Sequence, residues 1–346
     1  MLQIAYIYNL NRGKGEEDSE FDGADLVARW TKSLKKYGLV RAIEFTDPYT
    51  VTRALTQLKK SAKHPILVVN MAEGTTGESR EAFVPMLCES LGLTYTGSGP
   101  RALMVTLDKN WAKSEVARRG LMQVPQGVLV EGQKILAGLE EANSLRFPLI
   151  VKPNFEGSSK GIYSDSVVSN PATLSKKVRK LLAKYPGAVL VEEYIQGMDV
   201  FVPYLEIFRG APGYAVANPE VLDPYQIVAD PKILKMRQHF VYGYEAKTKF
   251  DHLISVQFPP ALHPRVIEDI RSRCAKIYQA LSIRDMGRID LRVTPEGTPY
   301  FLELNAIPAL GENGQFQEAA HRRARFDYDC IINAIVISAL TRRLKR

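Results

Sequence analysis

The residues from Pro148 to Gly161, PLIVKPNFEGSSKG, have the types and spacing to bind an anion. An apolar strand delivers Lys152, and a short loop of Gly and Ser follows it. The lysine supplies a point charge, and the backbone N–H groups of a Gly-rich turn form a concave set of donors for an anion with several oxygens. Junctions of this kind also serve as plain turns. The stretch therefore predicts a phosphate-binding loop, with a plain turn as the alternative.

Two apolar segments far downstream carry oxygen ligands. The segment Gly287–Arg292 contains Asp290, and the segment Tyr300–Ala306 contains Glu303 and Asn305. Residues two apart in a strand share a face, and an isolated carboxylate is costly to bury unless it is paired or bound to a metal. Because Mg²⁺ takes carboxylate and amide oxygens together with phosphate oxygens and water, these residues predict a magnesium site.

Arg288 lies two residues before Asp290 and therefore on the same face of its strand. Its guanidinium could neutralise an oxyanion that develops during a reaction. The alternative is a buried salt-bridge network of Arg288, Asp290 and Glu303. Together with the phosphate loop, the metal and arginine positions predict a nucleotide-using enzyme.

Three other charged positions carry weaker signals. Lys109 precedes a predicted helix and, taken alone, is more often a surface lysine. Glu192 and Glu193 end an aliphatic strand, and adjacent side chains of a strand point to opposite faces, so at most one of them serves a ligand. A solvated pair at a sheet edge is the alternative for these two glutamates.

Composition bounds the class of protein. The chain has 346 residues, more than one compact core usually organises, so two or three domains that share a cleft are expected. Its hydrophobic content of 45% and charged content of 24% are those of a globular protein. The net charge of +8 comes without interleaved aromatic and basic residues, so no nucleic acid partner is expected.

Cysteine usage and apolar runs predict a cytoplasmic protein without a membrane partner. Three widely spaced cysteines, an odd number, are typical of reduced thiols, and the N-terminus lacks the features of a signal peptide. The longest apolar run, Ile331–Leu340, is too short to span a bilayer and predicts a buried terminal helix.

The chain opens with a regular alternation of strands and helices. The predicted elements are a strand Gln3–Tyr8, a helix Asp22–Tyr37 that Asp22 can cap, a strand Leu39–Phe45, a helix Thr50–Leu58 and a strand Pro65–Asn70. This rhythm predicts a doubly wound first domain over residues 1–99. A central domain with the phosphate loop follows over residues 100–188, and a C-terminal domain with the metal segments over residues 189–346.

Seven motifs occur in a fixed order and together span nearly the whole chain. They are Val69–Gly74, Tyr95–Ser98, Asp108–Lys109, Val151–Pro153 with Glu156–Ser159, Tyr244–Lys247, Gly287–Asp290 and Leu302–Asn305. In this order they resemble the motifs of the D-alanine–D-alanine ligases of the ATP-grasp superfamily. The resemblance implies a three-domain α/β ATP-grasp fold, with a doubly wound N-terminal domain and ATP held between two sheets of the central and C-terminal domains. It also implies a cytoplasmic homodimer that acts on small amino acids in peptidoglycan synthesis.

The resemblance further implies the residues of a nucleotide site and its metals. The implied nucleotide-binding residues are Lys109, Lys152, Glu156, Gly157, Ser159, Glu192, Tyr194, Ile195, Asp199 and Lys247. Of these, Lys109 and Lys152 would contact phosphates, Glu192 and the two residues after Glu193 would hold adenine, and Asp199 would bind ribose. Two Mg²⁺ ions, with Mn²⁺ as an alternative, would be held by the three oxygen ligands Asp290, Glu303 and Asn305.

Four residues would take part in catalysis by the same resemblance. Arg288 would bind the tetrahedral intermediate, and Lys247 would close over the γ-phosphate on a mobile, irregular loop. Ser158 would belong to a hydrogen-bonded set with an N-terminal glutamate, for which Glu20 is the candidate.

The chain also departs from the family pattern. Thr248 stands where many members have a tyrosine, and Asn305–Gly314 lacks the family's Pro-Gly-Met and a later serine that contacts the second amino acid. The stretch Pro308–Gly314 is expected to line the amino acid pocket. The sequence thus predicts an ATP-dependent ligase that joins two small amino acids, most simply two D-alanines, through an acyl phosphate. The alternative is a specialised ligase that joins an amino acid to another small carboxylate or amine. A nucleotide-binding regulator is disfavoured, because a pure binder needs no complete metal and oxyanion set.

Overall fold

The computed structural model describes residues 1–132, 134–209, 216–236 and 239–344. Within these ranges the chain forms a four-stranded parallel sheet, a four-stranded antiparallel sheet and a six-stranded antiparallel sheet, in that order along the sequence.

The first sheet has the strand order β2-β1-β3-β4. Its strands are β1 Leu2–Tyr8, β2 Gly38–Glu44, β3 Ile66–Asn70 and β4 Thr94–Tyr95, and its helices are α1 Ala24–Leu34, α2 Pro48–Ser61 and α3 Phe83–Ser90, with a 3₁₀ turn Arg80–Ala82. Every residue of β3 is buried, as expected of a parallel strand covered on both faces. The predicted doubly wound first domain is confirmed.

Helix α1 is shorter than predicted, because contacts between segments compete with helix formation at both ends. Asp22 does not cap it; Gly23 is the N-cap residue, and the Asp22 N–H donates to the Asn9 carbonyl at 3.0 Å. At the other end the Leu2 N–H donates to the Tyr37 carbonyl at 3.1 Å, which draws the chain into β2. The other predicted elements of this domain agree with the structure to within a few residues.

The second sheet has the order β5-β8-β6-β7. Its strands are β5 Gly127–Val130, β6 Leu149–Pro153, β7 Val167–Val168 and β8 Val189–Glu193, and the helices of this region are α4 Pro100–Leu107, α5 Lys109–Arg118, α6 Leu139–Asn143 and α7 Pro171–Lys184, with a 3₁₀ turn Ser164–Ser166. One face of the sheet packs Val151 and Val191 against α7. Strand β8 is hydrogen-bonded between β5 and β6, so a domain boundary between residues 188 and 189 separates it from its own sheet. We propose the boundary after Glu193 instead.

The third sheet has the order β12-β11-β9-β13-β14, with β10 paired to β9. Its strands are β9 Met198–Arg209, β10 Val216–Val221, β11 Tyr225–Ala229, β12 Ile254–Gln257, β13 Met286–Val293 and β14 Pro299–Asn305, and its helices are α8 Pro231–Met236, α9 Tyr244–Thr248, α10 Pro264–Ala280, α11 Gln315–Ala324 and α12 Tyr328–Leu344, with a 3₁₀ turn Asp251–Leu253. Ile289 and Leu291 pack against Ile277 of α10. The opposite face of β13 is therefore free to carry polar groups.

The last helix is the buried element that the apolar run predicts. Ile331 and Ile335 of α12 share a core with Tyr6 of the first sheet and Leu205 of the third. This helix thus joins the N-terminal and C-terminal domains. Among the described residues, no helix is both long and apolar enough to cross a membrane.

Candidate active site

Polar side chains of the second and third sheets meet in a cleft between them. Lys152 and Glu192 stand on the face of the second sheet opposite its apolar core and are 5% and 1% exposed. Arg288 and Asp290 stand on the corresponding face of β13. Strand alternation places all four in one cleft, because each strand already commits its other face to the core.

The predicted metal ligands are adjacent. Asp290 of β13 lies directly opposite Glu303 of β14, and the Asn305 amide donates to Asp290 Oδ2 at 3.3 Å. Arg288 donates two hydrogen bonds to the Asp290 carboxylate, each 2.7 Å long. The arrangement therefore contains both the predicted ligand set and the ion pair expected from the alternative salt-bridge reading.

A β-bulge directs Glu303 into the cleft. The register of β13 and β14 shifts after Asp290, so that Leu291 pairs with Phe301 and Leu302 has no partner across the ladder. Phe301 and Glu303 would share a face in a regular strand, but the extra residue sends Phe301 into the core and Glu303 toward the opposite side.

The oxygen donors that this chain supplies are suited to Mg²⁺. Burial raises the pKa of Glu303, but Lys109, Lys152 and other nearby cations lower it more, to about 2, so its carboxylate is charged. Within the described ranges, no three His, Cys, Asp or Glu side chains cluster so as to hold a metal by themselves. Two carboxylates and an amide are sufficient for Mg²⁺, which keeps water and phosphate oxygens as its remaining ligands.

Lys109 is not the surface lysine that its sequence context favours. It is the first residue of α5, whose start is capped by Asp108 accepting from the Trp111 N–H at 2.9 Å. Lys109 is 4% exposed, and its side chain donates to the Glu156 carbonyl and lies 3.3 Å from Glu303 Oε2. It therefore links the predicted phosphate loop to a predicted metal ligand.

Glu192 is buried between two lysines, which rules out the solvated pair at a sheet edge. Its carboxylate lies 2.7 Å from the Lys152 ammonium and also pairs with Lys113. Glu193 points the other way and accepts from the backbone N–H of Arg146 at 3.3 Å. Sequence reasoning missed Lys113, although its position four residues after the first lysine of α5 places it on the same helix face.

A second missed residue, Arg292, organises the expected adenine and ribose positions. Its guanidinium lies 2.6 Å from Asp199 and donates to the Ile195 carbonyl at 3.0 Å. It also donates to the Tyr194 hydroxyl at 2.7 Å and to the Phe240 carbonyl at 2.9 Å. The signal was present in the sequence, since this arginine follows Asp290 by two residues and shares its strand face.

Glu20 reaches the phosphate loop but is already paired there. The Gly157 N–H donates to its carboxylate, which also lies 3.3 Å from Arg80 Nη2 and 2.5 Å from Lys160 Nζ. A Cβ at position 157 would lie 2.2 Å from Glu20 Oε1, so the approach requires glycine. Ser158 lines the same cavity, but among the described residues it forms no hydrogen bond with Glu20, contrary to expectation.

The segment expected to be an irregular loop contains the short helix α9, which carries Lys247. The Tyr244 N–H donates to the Ile162 carbonyl at 2.9 Å, and the Ser159 hydroxyl donates to the Tyr242 carbonyl at 3.1 Å. Burial, reinforced by the charge of a neighbouring arginine, lowers the pKa of Lys247 to about 8. The helix therefore lies against the phosphate loop, and its mobility stays a prediction.

A cavity of about 370 Å³ is lined by several of these groups, which come from all three domains. Its lining includes Glu20, Ser158, Lys247, Arg288, Glu303 and Asn305. Residues 308–311 of the expected acceptor stretch also line it. Glu312 turns outward and pairs with Arg29 at 3.0 Å.

Two sheets that face each other across a charged cleft define this chain as an ATP-grasp fold. A D-alanine–D-alanine ligase from Bacillus anthracis, solved in complex with ATP, superposes with a TM-score of 0.71 at 18% identity, covering 100% of this chain and 99% of that one. The likeness extends over all three domains.

The family follows from sequence comparison. The model described as D-ala D-ala ligase C-terminus matches residues 116–337. A D-alanine–D-alanine ligase of Pelobacter propionicus is 30% identical over 77% of this chain and 76% of its own length. A protein of Sinorhizobium fredii, named "Uncharacterized protein y4sG", is 33% identical over 78% of this chain and 73% of its own. The chain belongs to the D-alanine–D-alanine ligase family, which makes it a ligase by class.

Proposed function

We propose that this protein is an ATP-dependent ligase that joins two small amino acids, with D-alanine expected in both positions. The observation that carries the proposal is the shared cavity. Cations expected to contact phosphate, predicted metal ligands and residues of the N-terminal domain all line it. Its volume lies within the range of small-molecule pockets, roughly 300–1,000 Å³. An amino acid in this cavity can therefore reach the phosphate-handling groups directly.

The phosphate-binding part of the proposal rests on lysines from three separate elements. Lys109 of α5, Lys152 of β6 and Lys247 of α9 all lie around the acidic groups of the cleft. Their positive charges suit the triphosphate of ATP, and bound Mg²⁺ would supply charge neutralisation to the transferred phosphoryl group. Asp290, Glu303 and Asn305 would hold that metal.

The acceptor chemistry rests on Arg288. ATP would phosphorylate the carboxylate of the first amino acid, and the amine of the second would attack this acyl phosphate with loss of inorganic phosphate. Arg288 lines the cavity and donates from Nε and Nη2 to Asp290, so its other guanidinium N–H groups would be the donors to the oxyanion of the tetrahedral adduct. Arg292 would keep Asp199 and the Ile195 carbonyl in position for ribose and adenine.

This activity belongs to peptidoglycan synthesis. A cytoplasmic location and a homodimeric state stay predictions, and gel filtration with light scattering would test the second.

Phosphate release measured with Mg·ATP and a panel of D- and L-amino acids, alone and in pairs, tests the proposal. We expect release that requires D-alanine and a product with the mass of the dipeptide. The test variant is Arg288→Lys, which keeps the positive charge but loses the bidentate guanidinium donor. Its phosphate release should fall by at least about 100-fold while ATP still binds. Wild-type protein that binds ATP and releases no phosphate with any amino acid would refute the ligase.

A further inference from the structure

The predicted phosphate loop follows β6 over residues 154–161, and its backbone needs support from outside the loop. Ser158 and Ser159 adopt left-handed φ values of 47° and 62°, and Gly161 adopts a φ of 74°. Left-handed backbone is costly for residues with a side chain, and it persists only where the surrounding structure holds it. A Cβ on Gly161 would lie 2.6 Å from Pro153 Cγ, so the loop also folds back tightly on the end of its own strand.

A second cavity, of about 760 Å³, is lined by this loop and by the N-terminal domain. The loop contributes Phe155, Glu156 and Lys160 to its wall, and the N-terminal domain contributes Glu16 and Arg80. Because a cavity takes the place of packed apolar side chains here, no core supports this side of the loop. The position of the loop must therefore depend on the polar contacts that reach it from the N-terminal domain.

Two glutamates of the N-terminal domain bind the loop on either side of its two left-handed serines. Glu20 accepts a hydrogen bond from the Gly157 N–H, which lies just before the serines. Glu16 accepts a hydrogen bond from the Gly161 N–H, which lies just after them, at 2.8 Å. Both contacts hold the backbone itself, so together they fix the left-handed turn directly.

The N-terminal loop that carries these glutamates, residues 9–22, is braced by its own hydrogen bonds. Near its ends, the Asn11 N–H donates to the Asp22 carbonyl at 2.9 Å. Asp18 is buried inside the loop and accepts from the Arg12 N–H at 2.6 Å. A loop braced in this way can present its outward carboxylates at fixed positions.

The Glu16 carboxylate binds the central domain through more than the loop amide. The Tyr163 hydroxyl donates to it at 2.6 Å, and the Lys184 ammonium pairs with it. Burial raises the pKa of Glu16, but these donors lower it more, to about 2, so the carboxylate is charged at neutral pH. Hydrogen bonds to an ionised acceptor are stronger than those between neutral groups, so Glu16 is a firm anchor for Gly161.

We propose that Glu16 is a positioning residue that fixes the Gly161 end of the phosphate loop and thereby raises the affinity for the phosphates of ATP. The affinity for a ligand is reduced by the fraction of protein whose site is not in the binding conformation, and Glu16 keeps that fraction small. The inference rests on the proposed function, because it takes this loop as the one that binds the phosphates.

Calorimetric binding of a non-hydrolysable ATP analogue with Mg²⁺, and displacement of that analogue by adenosine, test the role in the full-length protein. In Glu16→Ala the loop loses an anchor, so the dissociation constant of the analogue should rise about tenfold. Adenosine has no phosphates, and its dissociation constant should be the same in wild type and Glu16→Ala. A variant that was damaged as a whole would lose affinity for both ligands.

Two further variants and one further measurement complete the experiment. Tyr163→Phe removes a single donor to Glu16 and should raise the dissociation constant of the analogue about threefold, which keeps the test available if Glu16→Ala does not fold. The control is Glu17→Ala, an exposed acid of the same loop, which should behave as wild type. In the ligand-free protein, the amides of residues 157–161 should exchange hydrogen faster in Glu16→Ala than in wild type or Glu17→Ala.

The outcomes separate the positioning role from the ligase. An unchanged affinity of Glu16→Ala for the analogue, or an equal loss for adenosine, overturns the role of Glu16 even when the enzyme makes dipeptide. Weaker binding of the analogue alone, in a protein that releases no phosphate with any amino acid, supports the role of Glu16 and refutes the ligase. In an active enzyme, the KM for ATP should rise in Glu16→Ala with little change in kcat, because saturating nucleotide restores the binding conformation of the loop.

Discussion

The charge state of Lys247 should control how ATP affinity depends on pH. This lysine of α9 lines the cavity, and burial together with the charge of Arg288 lowers its pKa to about 8. A lysine carries its charge below its pKa and loses it as the pH rises through that value. If the ammonium form binds the γ-phosphate, ATP affinity must fall above pH 8.

The size of the effect follows from the fraction of charged lysine. With a pKa of about 8, that fraction is about nine-tenths at pH 7 and about one-tenth at pH 9. Apparent affinity scales with the competent fraction, so the dissociation constant of ATP should rise about tenfold between pH 7 and pH 9.

The assay is calorimetric binding of a non-hydrolysable ATP analogue at saturating Mg²⁺, at pH 7, 8 and 9, in wild type and in Lys247→Arg. The arginine stays protonated over this range, so the variant should show a flat profile. A flat wild-type profile would refute a role for the Lys247 charge. An equal rise in both proteins would assign the titration to another group, of which Lys113, with a pKa lowered to about 7 mainly by burial, is the nearest candidate.

Two further substitutions test the metal and phosphate assignments. Glu303→Gln should reduce Mg²⁺-dependent turnover by at least about 100-fold without unfolding the protein, because it removes a charged metal ligand, whereas Glu193→Gln, on the far side of its strand, should be near wild type. Steady-state rates and thermal unfolding measure the two effects. Near-normal activity of Glu303→Gln would favour a purely structural ion network. Lys152→Ala should weaken ATP binding about 10- to 150-fold through loss of a charge-assisted contact. The loss should be smaller in Lys113→Ala, because both lysines pair with Glu192 but only Lys152 is expected to reach phosphate. Equal losses of ATP affinity in calorimetry would contradict the phosphate role of Lys152.

The sequence alone determined the features that depend on local pattern. The Gly-Ser loop after Lys152 and the buried parallel strand β3 follow from residue types within one segment. The pairing of Arg288 and Asp290 on one strand face follows from alternation, which is a property of any strand. The family resemblance added the nucleotide-binding and catalytic assignments, which stay predictions.

Only the tertiary structure decided which distant groups meet. Lys109 is buried because α5 is clamped between the phosphate loop and β14, and nothing near it in the sequence signals those neighbours. Phe301 and Glu303 lie on opposite faces because of a bulge, which the alternation of their own strand would not predict. Glu20 is neutralised by Arg80 and Lys160, which lie far from it along the chain. Such contacts depend on how whole elements pack, whereas sequence patterns describe one element at a time.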